Sequence, residues 1–138
     1  MAGNANVLKS AWPQGEDGII LLELGPFEVE ASKTNYVVDA LRVPYAFEPV
    51  YAEVASHTVT VTNGITLDVL DNESTPQQIV EDHTLAASTA GSTANASMTI
   101  DDFGPVLADA VLSVRYTSGA SDTSVNTKVR LWVRPVHK

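Results

Sequence analysis

Four residues near the C-terminus have the types and spacing of a contact surface. Lys128, Arg130, Trp132 and Arg134 recur at every second position, which in a β-strand puts them on one face. Arginine and tryptophan are enriched where proteins bind each other. A guanidinium two residues from an indole on the same face can also lie over its ring. The competing reading is an outer sheet face covered by a loop or by the chain's own N-terminal arm. A second tryptophan, Trp12, sits in that arm, residues 1–18, among Gly3, Pro13, Gly15 and Gly18. It needs a partner, either its own domain or a neighbouring subunit. Trp12, Lys128, Arg130, Trp132 and Arg134 are the candidate interface.

Other chemistry is weakly signalled. His57, His83 and His137 are the three histidines, and none has the paired spacing of metal ligands. They read as surface residues. Asp68, Asp71, Asn72 and Glu73 offer oxygens to a hard cation such as calcium. Their spacing is not that of an EF-hand loop, and a solvated strand end suits them as well. Asp101 and Asp102 have the same standing. A carboxylate pair could serve glycoside hydrolysis, but 17 acidic residues give no ground for choosing two. No nucleophile elbow and no phosphate-cradling glycine loop is present. Cysteine is absent, so disulfides, thiolate chemistry and cysteine–zinc sites are excluded together. The chain reads as non-enzymatic, with no cofactor and no metal.

Charge narrows the partners. The net charge is −9. Residues 43–114 contain no lysine or arginine and ten acids, whereas from Ala110 onward Arg115, Lys128, Arg130, Arg134 and Lys138 face Asp122 alone. An acidic body argues against nucleic acid, whose phosphates need basic surface. The basic end suits acidic protein surfaces, including copies of the same chain. Alternatively, strands of opposite sign pair within one sheet. No run approaches the roughly 18 apolar residues of a membrane span. The first ten residues show no basic region followed by an apolar one, so no secretory signal is visible. The sequons at Asn72 and Asn95 then read as chance matches.

The elements that must position these residues are strands. At 138 residues and 44% hydrophobic the chain is long enough for one domain with a real core: an arm, residues 1–18, and a β-domain, residues 19–138. Residues 58–70 alternate apolar and polar around Asn63-Gly64, a strong hairpin signal. A three-residue loop, Thr62-Asn63-Gly64, would pair Val61 with Ile65 and Val59 with Leu67. That register keeps one apolar side and requires Gly64 to be left-handed. Further strand signals cover residues 18–24, 27–31, 36–43, 47–55, 77–85, 110–117 and 125–134. In residues 47–55, Val50, Ala52 and Val54 share one side, with Tyr51 and Glu53 on the other. Pro49 suggests an edge or a strand start. Residues 86–98 read as a long loop or loose strand pair, 99–100 as a short strand, and 106–109 as a brief helical turn. In the last strand Val125, Val129, Leu131 and Val133 point inward. About eight short strands with polar turns predict an all-β, antiparallel β-sandwich, jelly-roll-like.

The run from Ala110 to Tyr116, the Ser/Gly/Asp loop after it and Val129-Arg130-Leu131-Trp132-Val133-Arg134-Pro135 resemble small jelly-roll-like proteins of tailed bacteriophage particles. These are head decoration (cement) proteins and head-fibre or tail-fibre domains. The resemblance covers roughly residues 36–136 as a pattern. It implies a structural role on the virion after synthesis in the host cytoplasm. Copies, often trimers, would sit on the capsid surface and bridge capsomers of the major capsid protein. It transfers no catalytic residue. The alternative is a carbohydrate- or receptor-binding module of a head or tail fibre, which would present exposed aromatics to sugar rings.

Overall fold

The computed structural model describes residues 18–71, 77–88 and 94–136. Trp12 and the rest of the arm, Asn72, Glu73 and His137 lie outside them. Among the described residues nine strands run in the order β1 (Ile20–Val29), β2 (Tyr36–Val43), β3 (Phe47–Ser56), β4 (Thr58–Thr60), β5 (Ile65–Asp71), β6 (Gln78–Thr84), β7 (Ala94–Met98), β8 (Ala110–Ser118) and β9 (Thr123–Pro135). One sheet, A, has the order β1-β9-β3-β7, with β4 also on β9; the other, B, has the order β2-β8-β5-β6. All pairings are antiparallel. The strand β4 continues β3 along β9, since Ala55 faces Lys128 and Thr58 faces Val125. Counted as one, they make eight strands in a jelly-roll-like β-sandwich.

The core follows from alternation. Each strand sends every second side chain inward, and the two sheets bury these against each other. Leu24, Phe47, Val54, Ile65, Leu67, Leu112, Val114, Val129, Leu131 and Val133 are all buried. Each contributes on the order of 1.5–3 kcal/mol relative to exposure. Tyr116 lies fully inside and keeps its phenol satisfied by accepting the Glu30 amide at 3.0 Å.

The expected hairpin does not form. Thr62-Asn63-Gly64 does turn the chain, but β4 joins sheet A and β5 joins sheet B. Val59, Ile65 and Leu67 are buried as alternation requires, because an arch between sheets and a hairpin within one sheet impose the same inward pattern. What separates them is the partner. β5 matches seven residues of β8, and β4 matches three of β9. The amides freed at the corner go to Asp122, a buried residue. Its carboxylate accepts from Thr62, from Asn63 at 3.0 Å and from Gly119 at 2.8 Å. These bonds hold it below the usual carboxylate range. Gly64 has φ +121°, with open space where a Cβ would stand, so the requirement there is conformational.

Two of the bulges break parity in the strands beside the outward row of β9. The β3–β9 register shifts between Pro49 and Tyr51, so Phe47 and Pro49 face inward, then Ala52 and Val54. Val50 therefore does not share a side with Ala52. Pro49 is tolerated inside sheet A because β7 pairs with β3 only from Ala52 onward, which leaves that side of Pro49 without a ladder. In β9, Asn126 has φ +50°; Val125 turns out and is 36% exposed, while Ser124 and Thr127 turn in. Their hydroxyls bond each other at 2.6 Å, and Thr127 also bonds Ser56 at 3.0 Å. Residues 106–109 form no helical turn; Val106 exchanges backbone bonds with Phe47 instead. Ile100 lies in no strand, although the next amide, that of Asp101, bonds the Ile79 carbonyl.

Gly64→Val should destabilise the fold by about 1 kcal/mol through backbone strain alone, read by chemical denaturation. His83 faces Leu67, and its buried Nε2 has no hydrogen-bond partner among the described residues. Burial pushes its imidazole below the ordinary value. Stability should thus be complete above the unfolded histidine's pKa of about 6.5 and fall as pH drops below it. A second loss should appear below about pH 4 as Asp122 protonates. His83→Leu should remove the first step and Asp122→Asn should flatten the second, in melting curves taken across pH.

Candidate functional site

β9 places Lys128, Arg130, Trp132 and Arg134 on the outer face of sheet A, because Val129, Leu131 and Val133 between them are buried. The face is built from three strands. Trp132 stands between Leu21 of β1 and Tyr51 of β3. The Tyr51 and Trp132 ring centroids are 5.2 Å apart at 50°. Leu21 and Tyr51 are 45% and 44% exposed, so this apolar stripe is open to its surroundings.

One row away, Arg130 is held between two carboxylates. Its Nε donates to Glu23 at 3.0 Å and its Nη1 to Glu53 at 2.8 Å. These bonds raise the guanidinium's pKa further above its already high value. In this respect the charge layout resolves into cross-strand pairing within a sheet. Arg130 is spent on those partners. The cation–ring contact among the described residues is Lys33 over Tyr36, at 4.7 Å, and not an arginine over Trp132. Arg134 lies opposite Glu48 in the register. Among the described residues neither Arg134 nor Lys128 forms an ion pair. Lys128 edges a shallow groove of about 270 Å³ with Ser56, His57 and Asn126.

The structure therefore gathers four of the five predicted interface residues on one face, while Trp12 lies outside the described residues. It adds Leu21, Tyr51, Glu23 and Glu53. Alternation already sets Tyr51 and Glu53 on the outward side of β3. That they flank Trp132 and Arg130 depends on inter-strand register, which no local pattern carries.

A second recess lies on sheet B. It has a volume of about 480 Å³ and is lined by Leu70, Gln77, Gln78, Glu81, Asp101, Asp102 and Arg115. Its polar groups are largely engaged with each other. Arg115 Nε donates to the buried Asp68 at 3.1 Å. With its side-chain amide turned so that the nitrogen faces Glu81 and the oxygen faces Arg115, Gln78 bridges the two at 3.0 Å each. Asp101 accepts the Glu81 amide at 2.7 Å and Asp102 the Gly104 amide at 2.9 Å. Asp71 accepts the Gln77 amide at 2.7 Å. Of the acids that could offer oxygens to a cation, Asp71, Asp101 and Asp102 thus cap strand ends and turns and Asp68 pairs with Arg115, while Glu73 lies outside the described residues. Among the described histidines, His57 is exposed and His83 is half-buried, with its Nε2 enclosed.

Comparison with protein-family models, curated proteins and solved structures finds no match to the chain. The site is therefore read from its own geometry.

Arg130→Ala would leave Glu23 and Glu53 facing each other across β9. It should cost about 1 kcal/mol, the upper end for a partly exposed pair. Added salt should recover part of that loss by screening the two carboxylates, measured as urea midpoints at low and high ionic strength.

Proposed function

We propose that the chain is a non-enzymatic virion structural protein, a capsid decoration protein that binds the assembled head of a tailed phage. Its partners are the major capsid protein and further copies of itself. The observation that carries this reading is the open stripe Leu21–Trp132–Tyr51 on sheet A. A tryptophan flanked by a tyrosine and a leucine has the composition of an interface centre. Strands hold it, so little conformational entropy is lost on docking. The neighbouring charges are tied down by Glu23–Arg130–Glu53, which keeps the surroundings of the stripe ordered.

Bridging needs a second contact, and the β7–β8 connection offers one. Phe103 and Leu107 are 56% and 64% exposed. Between them Val106 is pinned to Phe47 by backbone bonds of 2.7 and 3.0 Å. Two modest contacts repeated over a lattice raise occupancy through effective concentration. The jelly-roll-like strand order is common to viral coat domains and to lectins, so it is compatible with this reading without choosing it.

The Tyr51–Trp132 pair also supports a second reading, a carbohydrate-binding module that stacks a sugar ring on the two aromatics. One experiment separates the two. Labelled protein is added to tailed-phage particles stripped of their outer proteins and, in parallel, to a glycan array. The shell reading expects saturable particle binding that falls about tenfold or more in Trp132→Ser, with no array signal. An array signal lost in Trp132→Ser, with no particle binding, establishes the sugar reading instead.

A further inference from the structure

We infer that Asn63 is a modification site. The Gly64 backbone nitrogen closes on the Asn63 side chain and expels ammonia. The carboxylate that results lies beside Asp122 and loosens the corner between the sheets. This is independent of the reading of sheet A.

The residue pair is the first argument. Of the asparagines in the chain, Asn63 alone precedes a glycine. Asparagine is among the thermally labile residues. Its side-chain carbonyl carbon and the next backbone nitrogen can close a five-membered ring, and a Cβ on that next residue crowds the closure. Gly64 has none. Nothing lies within 4 Å of where a Cβ on Gly64 would stand, so the ring has room. Asn35, Asn95 and Asn126 precede Tyr36, Ala96 and Thr127, each of which carries a Cβ.

Geometry is the second. Asn63 is exposed, and among the described residues no hydrogen bond holds its side-chain amide. Its backbone is fixed, because the Thr62 and Asn63 amides donate to Asp122. The Gly64 amide is drawn to the same carboxylate. A bond from that amide lies in the peptide plane, whereas the nitrogen attacks the side chain along the normal to the plane. Ring closure therefore does not require the corner to open.

The step needs only water. The Gly64 nitrogen gives its proton to hydroxide and bonds Asn63 Cγ. The Cγ–Nδ2 bond breaks, and the departing nitrogen takes a proton from water, which leaves as ammonia and returns the hydroxide. Water then opens the cyclic imide at either carbonyl. One opening gives aspartate, and the other gives isoaspartate, whose main chain runs through the former side chain.

The consequence falls on Asp122. Asn63 Oδ1 and Asp122 Oδ2 each lie 2.7 Å from the place where a Cβ on Gly119 would stand, so they are near neighbours. Conversion replaces a neutral amide there with a carboxylate. A like charge alongside disfavours the ionised form of Asp122, and that form is what accepts the Thr62, Asn63 and Gly119 amides. Isoaspartate also adds one main-chain carbon to the turn that presents two of those amides.

The test incubates the folded full chain at mildly alkaline pH and follows it by peptide mass mapping. Expected is conversion at Asn63 ahead of Asn35, Asn95 and Asn126, as a mixture of aspartate and isoaspartate. Asn63→Asp, which makes the first product directly, should melt about 3 °C below the parent at neutral pH, whereas Asn63→Ser melts with the parent. The aged parent should show a similar drop, and aged Asn63→Ser should show none. Conversion at Asn63 no faster than at the other three, or aspartate without isoaspartate, overturns the ring closure. An aged parent and an Asn63→Asp variant that both melt with the fresh parent overturn the loosening of the corner.

Discussion

A buried carboxylate holds the corner where the chain leaves one sheet for the other. Asp122 sits in the β8–β9 connection and takes up amides of the β4–β5 connection and of its own turn. Both connections cross between sheets A and B at the same end of the sandwich. A third crossing, β1–β2, joins them there, since the Ser32 amide donates to the Gly119 carbonyl and the Ser118 amide to the Lys33 carbonyl. A crossing strands backbone groups that a ladder would otherwise satisfy, and unsatisfied buried groups are costly. One anion that accepts several amides at once meets that demand in the space of a single side chain.

With the corner secured, β9 becomes the spine of sheet A. It pairs with β1 on one side and with β3 and β4 on the other. Its inward residues fill the core and its outward residues form the candidate site, so the site inherits the rigidity of the most heavily paired strand. The bulges at Val50 and Asn126 mark where regular alternation ends at either side of that site. Near Asn126 the interior accepts the hydroxyls of Ser56, Ser124 and Thr127 only because they bond each other. Gly25 serves the same end of β1. Its φ is +118°, and a Cβ there would stand 2.6 Å from the Thr127 carbonyl oxygen, so a side chain would push β1 off β9.

The outer faces of the two sheets are built on different terms. On sheet B the outward Asp68, Arg115 and Gln78 close on one another, leaving a recess whose polar groups are mostly satisfied from within. On sheet A, Glu23 and Glu53 are likewise paired with Arg130, but the adjacent row is apolar and open. Desolvating that row costs little and releases water from aromatic surface, which is the usual basis of protein contact.

Residue order alone determined most strand positions, because period-two burial is a local pattern: Tyr36–Val43 and the outward row of β9 were legible from it, whereas the run of β1 through Gly25-Pro26 and the strand β7 within residues 86–98 were not. It also determined the sharp turn at Asn63-Gly64, since few other residues accept that backbone conformation. Tertiary structure decided which strands became neighbours. Val59, Ile65 and Leu67 look the same to the pattern whether β4 and β5 pair with each other or face each other across a core, and only the longer ladders available on β8 and β9 chose the second. The same holds for the site. Trp132 could be placed outward from its neighbours in sequence, but Leu21 and Tyr51 reached its flanks through a register set by distant segments and by a bulge, where parity is lost and local reading fails.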